Sequence, residues 1–394
     1  MSYFLKCALL SAGILLCTAC GTPSASEPTA PVYPKMRPPE DALLLPPEEI
    51  DPVETLLSAM TTEEKVGQVF FVRCPGETAL SDLSTYHLGG YVLFGRDFKG
   101  RSAEEVRSTL AAYQEASAIP LLLGVDEEGG TVVRISSNSQ LRSKKFASPQ
   151  KLYAQGSWEA ITADTQEKDA LLSSLGINVN LAPVADVSTN SSDFIYDRAF
   201  GQDTAATADY VRTVVTQMHT DGMGSVLKHF PGYGSNVDTH TGIAVDTRPY
   251  DTFTASDFLP FQAGITAGGD TEAVLVSHNL VECMDDTLPA SLSPVVHRVL
   301  RETLGFDGVV MTDDLAMDAV AAYAKDGAVA VLALQAGNDL IVTTDYPTQI
   351  PKVLQAVEDG TLSVELLDDA CRRVLTWKTA LGLLDILSTE TPDT

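Results

Sequence analysis

The segment Lys228-His229-Phe230-Pro231-Gly232, followed by Asp238-Thr239-His240, sets an ammonium, an imidazole and an Asp-x-His pair within thirteen residues. The residues just before it, Gly224 to Leu227, are mostly apolar and read as a buried strand. Ionisable groups crowded at a strand's end usually mark a reaction site. A second such end lies downstream, where Gly308-Val309-Val310-Met311 runs into Thr312-Asp313-Asp314. Together the two segments suggest an acid/base device facing a carboxylate. Side chains alternate along a strand, so only one of Asp313 and Asp314 can face a shared pocket.

Holding these groups together requires a scaffold, and the chain supplies a regular one. Short runs rich in Val, Ile, Leu and Phe recur at 69–72, 91–94, 120–125, 178–184, 224–230, 273–278, 308–313 and 339–344. Helical patterns lie between them, among them 207–222 and 294–305, the second closed by Gly305 at a position suited to a left-handed cap. Eight buried strands alternating with helices predict a single-domain (β/α)8 barrel over residues 53–385, with a doubly wound open sheet as the alternative. In a barrel, reacting groups collect where strands end at the C-terminal rim. Here the third run exits into Asp126-Glu127-Glu128-Gly129-Gly130, and the fourth into Asp186 and a loop carrying Asp197-Arg198. The fifth exits into Lys228-His229, the sixth into His278-Asn279 and the seventh into Asp313-Asp314.

Outside the barrel the sequence changes character. An apolar stretch from Ala8 to Leu16 follows Lys6 and is shorter than the roughly 20 residues of a membrane span, which fits an export signal over 1–19. Small residues before Cys20 resemble a bacterial lipobox, with Cys17 where leucine is usual, so Cys20 is the expected lipidation site. The protein is then expected outside the cytoplasm, lipid-anchored to a bacterial membrane. Residues 21–52 hold nine of the 21 prolines and read, with Cys20, as a disordered linker. At ~3.1 Å per residue in polyproline form it would reach roughly 100 Å. The tail, 386–394, also reads as disordered. Three cysteines remain in the domain, Cys74, Cys283 and Cys371, an odd number that indicates no disulfide framework. A formal charge of −27 argues against nucleic acid or an anionic surface as partner.

These residues resemble family 3 glycoside hydrolases, and specifically the bacterial β-N-acetylglucosaminidases that cut N-acetylglucosamine from peptidoglycan fragments. The matching segments are 60–70, 125–134, 180–187, 197–201, 228–234, 238–240, 288–294 and 304–317, in family order. The resemblance implies that Asp313 is the nucleophile, forming a glycosyl-enzyme that water releases with retention. It implies that His240, on a loop, is the general acid/base, oriented by Asp238. An imidazole with an ordinary pKa near 6.5 can donate to the leaving oxygen and later accept from water. Asp126, Arg134, Arg198, Lys228 and His229 match the family's sugar contacts, a carboxylate suiting hydroxyl donors and the cations suiting oxygen acceptors. A rim ion pair between Glu128 and Arg134 is an alternative for that pair, Asp186 can be structural, and His278 can line the pocket or be a satisfied core histidine. Tyr233 stands where the family usually has histidine, Thr131 where arginine is frequent, and Gly234 to Asp238 runs one residue short. These departures bear on loop closure and on the leaving-group side of the site.

The implied activity is that of an exo-acting β-N-acetylhexosaminidase, with peptidoglycan fragments or chitooligosaccharides as substrates, no cofactor and a monomeric state. A zinc barrel hydrolase would need converging imidazoles, and the six histidines form neither H-x-H nor H-E-x-x-H. No G-x-S-x-G elbow or G-x-x-x-x-G-K-(S/T) loop occurs either. Two readings compete: a sugar-binding lipoprotein without turnover, and a family 3 β-glucosidase, which generally draws a carboxylic acid from a second domain.

Overall fold

The computed structural model describes residues 51–236, 244–317, 320, 323–324 and 327–384. Eight parallel strands form its centre: β1 (Phe70–Arg73), β2 (Gly90–Leu93), β3 (Leu122–Val125), β4 (Val179–Asn180), β5 (Gly224–Phe230), β6 (Glu272–Val276), β7 (Val309–Thr312) and β8 (Ile341–Thr343). Their order around the sheet is β8-β1-β2-β3-β4-β5-β6-β7. The seam between β7 and β8 is bridged at Met311 and Leu340, with Leu340 N donating to Val310 O at 3.1 Å. The sheet is therefore a nearly closed, TIM-like barrel, and the doubly wound alternative falls because its edge strands meet.

Period-2 alternation fills the interior. Phe71, Val92, Leu122, Val179, Val226, Leu275, Met311 and Val342 point inward and form one buried cluster. The opposite parity, with Phe70, Tyr91, Leu123, Leu227, Val274 and Val310, packs outward under the helices. Val374 and Trp377 of the last long helix, Val364–Ala380, join the inner cluster and stop the N-terminal end of the barrel. Trp377 Nε1 donates to Thr271 O at 3.0 Å there.

Each strand leads into at least one helix, and local chemistry sets where these begin. Ser102 and Glu105 form a reciprocal cap on Ala103–Ala116, and Asp203 accepts from Ala206 N at the start of Thr204–Thr220. In the latter, Ala208, Val211, Val215 and Met218 recur at helical spacing and are buried. The predicted helix over 294–305 is split: Pro294–Arg298 is α-helical and Val299–Thr303 is π-helical. Gly305 does take the left-handed conformation, with φ +70°. The fourth strand is much shorter than its apolar run, because Pro183 follows Ala182 and can donate no ladder hydrogen bond. A two-residue parallel pair, Val245–Asp246 with Leu280–Val281, was not foreseen.

Candidate active site

The interior parity of four strands, followed to or just past the strand's end, delivers a polar group to the C-terminal mouth. Phe71 leads to Arg73, Gly124 to Asp126, Val226 to Lys228 and Met311 to Asp313. All four line one cavity of about 390 Å3, with Arg134, Arg198, His229 and the apolar side chains of Phe94, Leu181, Leu275 and Val342. On β5 the register against β6 slips between Lys228 and Phe230, so consecutive residues, Lys228 and His229, both reach the cavity.

Asp313 and Asp314 both border the cavity, against the expectation that only one would, but their carboxylates are held differently. Asp314 turns back to the barrel wall, accepting from Thr344 Oγ1 at 2.8 Å and from Ala316 N at 2.9 Å. One oxygen of Asp313 accepts from Asp314 N at 2.8 Å, which fixes the carboxylate at the cavity wall.

The same cavity is bordered by a network of charges. Lys228, only 2% exposed along its side chain, places Nζ 2.7 Å from Asp126 Oδ1 and 2.6 Å from Glu128 Oε1. Arg198 grips Glu128 with two bonds, 3.0 Å from Nε and 2.7 Å from Nη2. Burial by itself would raise the Glu128 pKa, but Arg198 and Lys228 overrule it and hold the carboxyl well below the usual carboxylate range. Glu128 also raises the pKa of Arg198 against the opposing effect of burial. The same Nη2 of Arg198 lies 3.2 Å from His229 Nε2. A guanidinium only donates, so Nε2 accepts, and Nδ1 carries the proton toward Asp186 Oδ2 at 2.7 Å. Asp186 accepts also from His229 N and, at 2.6 Å, from Tyr233 N, which makes it the support for this wall.

Arg134 contributes less firmly, 3.5 Å from Asp126 Oδ2. The Glu128–Arg134 pair weighed above does not form, because Arg198 and Lys228 occupy Glu128. Glu127 points away from the cavity and accepts from Arg134 N at 2.8 Å, Ile135 N at 2.7 Å and the Ser136 hydroxyl, tying down the loop that carries Arg134. His278 is satisfied inside the wall, by Ser291 Oγ at 2.7 Å and Asp314 O at 3.1 Å, and does not line the cavity. Among the described residues no group of three His, Cys, Asp or Glu side chains is placed to hold a metal ion.

Asp238 and His240 lie outside the described residues, as does Cys20. The chain on either side of 237–243 is described, and one side chain gathers it. Arg248 donates to Asp246 Oδ2 at 2.8 Å, to Asp257 Oδ1 at 3.0 Å and to Gly232 O at 3.2 Å. Asn236 adds a bond to Asp246 Oδ2 at 3.0 Å. Gly232 has φ +127°, and a Cβ there would sit 2.3 Å from Asp257 Oδ1, so only glycine allows this approach.

Among the lining residues not singled out from sequence are Arg73, Phe94, Phe194 and Met317. Continuing the parity of β1 past Phe71 would have found Arg73. Nothing local signals Phe194, which comes from the long loop after β4, is 42% exposed and leans on Tyr233 with ring centroids 5.7 Å apart.

Known proteins resemble this chain in sequence and in fold. A β-hexosaminidase of Xanthomonas campestris pv. campestris is 34% identical over 287 residues, covering 71% of this chain and 84% of that protein. A family 3 β-N-acetylglucosaminidase from Paenibacillus sp. str. FPU-7 superposes with TM-score 0.76 at 30% identity, over 82% of this chain and 63% of that one. A β-N-acetylhexosaminidase from Beutenbergia cavernae DSM 12333 superposes with TM-score 0.71 at 28% identity, over 82% of this chain and 99% of the other. Residues 61–377 match the model of the glycosyl hydrolase family 3 N-terminal domain, and the chain belongs to that family.

Proposed function

We propose that this protein is a retaining exo-β-N-acetylglucosaminidase that removes terminal β-linked N-acetylglucosamine from peptidoglycan fragments or chitooligosaccharides. The observation that carries the reading is that Asp313 lines one cavity together with Asp126, Arg198, Lys228 and His229, whose charges Glu128 ties together from behind. The relatives bearing β-hexosaminidase and β-N-acetylglucosaminidase names support the choice of sugar.

In this reading Asp126, Arg134, Arg198, Lys228 and His229 hold the sugar's hydroxyl and carbonyl oxygens, and Asp313 attacks the anomeric carbon. The bond to the leaving oxygen breaks as the carboxylate–carbon bond forms, giving a covalent glycosyl-aspartate. His240, paired with Asp238, supplies the proton to the leaving oxygen and then takes one from the water that releases the sugar. The mutual pairing of the charge network holds its donors and acceptors in place before the sugar binds. Cleavage before Cys20, its lipidation and the proline-rich segment to residue 52 would tether the domain to a membrane; the support for this is the sequence pattern.

The test is hydrolysis of nitrophenyl glycosides by purified residues 21–394. The β-N-acetylglucosaminide is expected to be turned over at least about tenfold faster than the β-glucoside at equal concentration. Faster release from the glucoside would overturn the assignment of the sugar.

A further inference from the structure

We propose that a second, much smaller cavity, outside the barrel wall, is a binding site for one monovalent cation of potassium's size, seated against the buried carboxylate of Asp169. The cavity, about 20 Å3, lies between the wall at Glu128 and Asn180 and the two helices Pro149–Leu175 and Thr204–Thr220. That is room for one sphere the size of a water molecule. Asp169 lines it and is 1% exposed, and both its carboxylate oxygens are buried without a hydrogen-bond partner. Buried polar groups in native folds are normally satisfied, and an ionised carboxylate left alone is among the costliest exceptions.

The charges around this cavity leave one group over. Glu128 is taken by Arg198 at 2.7 Å and by Lys228 at 2.6 Å. Lys168, the cation on the lining, is taken by Asp164, with Nζ 2.6 Å from Oδ2, and lies 5.4 Å from the ring centroid of Phe146. Asp221, exposed at the end of Thr204–Thr220, adds negative charge near Asp169 and supplies none of the opposite sign. A water in the cavity would donate to an Asp169 oxygen and leave its charge standing. A proton removes the charge, and burial pushes the carboxyl up to about 8, so below that pH the proton holds the seat. Above it, a cation that fits the cavity answers both the charge and the two acceptors. Hard cations take oxygen ligands, and the oxygen-bearing side chains of Thr165, Asn180 and Tyr210 share the lining. Among the described residues no three His, Cys, Asp or Glu side chains are placed to ligate a metal, which speaks for a singly charged ion over a divalent one. Binding then exchanges one cation for the carboxyl proton, which leaves to solvent.

The test is thermal unfolding of the protein in potassium chloride and in choline chloride at equal concentration, at about pH 6 and about pH 9. Choline is too large for the cavity and keeps the ionic strength the same. In choline, the stability that the protonated Asp169 lends is lost as pH rises through about 8, and potassium should offset that loss. At the alkaline pH the midpoint in potassium is expected to exceed that in choline by about 2 °C or more, and at the acid pH the two should coincide. Asp169→Asn keeps the shape and removes the charge, so it should erase the potassium effect. Should that variant fail to fold, wild-type crystals held at the alkaline pH in thallium(I) acetate, a potassium-sized anomalous scatterer, give a second reading: one peak beside Asp169. Equal midpoints in the two salts at the alkaline pH, a potassium effect that survives in Asp169→Asn, or no thallium peak in the cavity would overturn the proposal.

Discussion

The two ends of the barrel bury the same kinds of side chain and treat them in opposite ways. At the C-terminal mouth, Glu128 is buried among Arg198 and Lys228, and its carboxyl stays ionised because two cations outweigh desolvation. At the N-terminal end and beneath the helices, Asp339 pairs with Arg301 and Arg373, but other charged residue types are buried with few partners. Burial pushes Glu272 up to about 8 and Lys378 down to about 7. Lys378 there has Gln68 Oε1 at 2.6 Å as its acceptor, and Glu272 Oε2 has none. Asp169, under the helices with both oxygens unpartnered, rises to about 8 for the same reason, reinforced by Asp221. The lesson is that burial does not decide protonation; the company does. One end keeps its charges and can use them on a ligand, while the other buries Glu272 and Lys378 toward neutrality and serves as a stopper.

Substitutions at each end can break or sharpen that contrast. The largest effect is expected at the mouth, where Asp313→Ala should lower kcat on the nitrophenyl N-acetylglucosaminide by about 10⁴-fold or more with little change in thermal midpoint. A residual rate within tenfold of wild type would remove Asp313 from the chemistry. Glu128→Gln comes next. Leaving two buried cations with one carboxylate fewer should cost about 3 kcal/mol in a urea titration, and about 10²-fold in kcat/KM. Were stability unaffected, the mouth would not depend on its pairing.

The smallest effects belong to the stopper and show in the pH dependence of stability. Glu272 has a folded pKa above its unfolded one, so the stability it contributes is complete below about pH 4 and lost as pH rises toward 8. Lys378 has a folded pKa below its unfolded one near 10.4. The unfolded chain then takes up a proton first, and stability falls as pH drops from about 10 to 7. Thermal midpoints across pH 4–10 should flatten on the acid side in Glu272→Gln and on the alkaline side in Lys378→Met, by a few degrees each, with kcat/KM within about twofold. Identical pH profiles in variants and wild type would show that these groups do not titrate as assigned.

The two ends also differ in how far they could be read from the sequence. The mouth was legible because eight apolar runs stop at polar residues, and the strand period then orders what lies beyond them. It carries Asp126, Lys228 and Asp313 inward, though Asp314 borders the cavity as well. The partner of Glu128 was not legible, since Arg198 is 70 residues away and Arg134 only six. Period alone would also have turned His229 away from the cavity; the slip in register that brings it in depends on pairing with β6. The stopper left almost no trace. Lys378 sits in a helix pattern with Arg372 and Arg373 and looks like one more solvated cation, until Gln68 and the barrel floor enclose it. Phe194 is hidden for a related reason, being placed by a long loop whose path no local propensity sets.

The knot around Arg248 has a consequence for how such an enzyme can vary. Gly232 on the outgoing chain, Asp246 on the returning chain and Asp257 in the helix behind all answer to one guanidinium. Both footings of the stretch 237–243 are thereby bolted to the frame, whatever span is hung between them. Insertions, deletions and rewording of that span can be tried without disturbing the staves beneath, as on a bridge whose abutments outlast its deck.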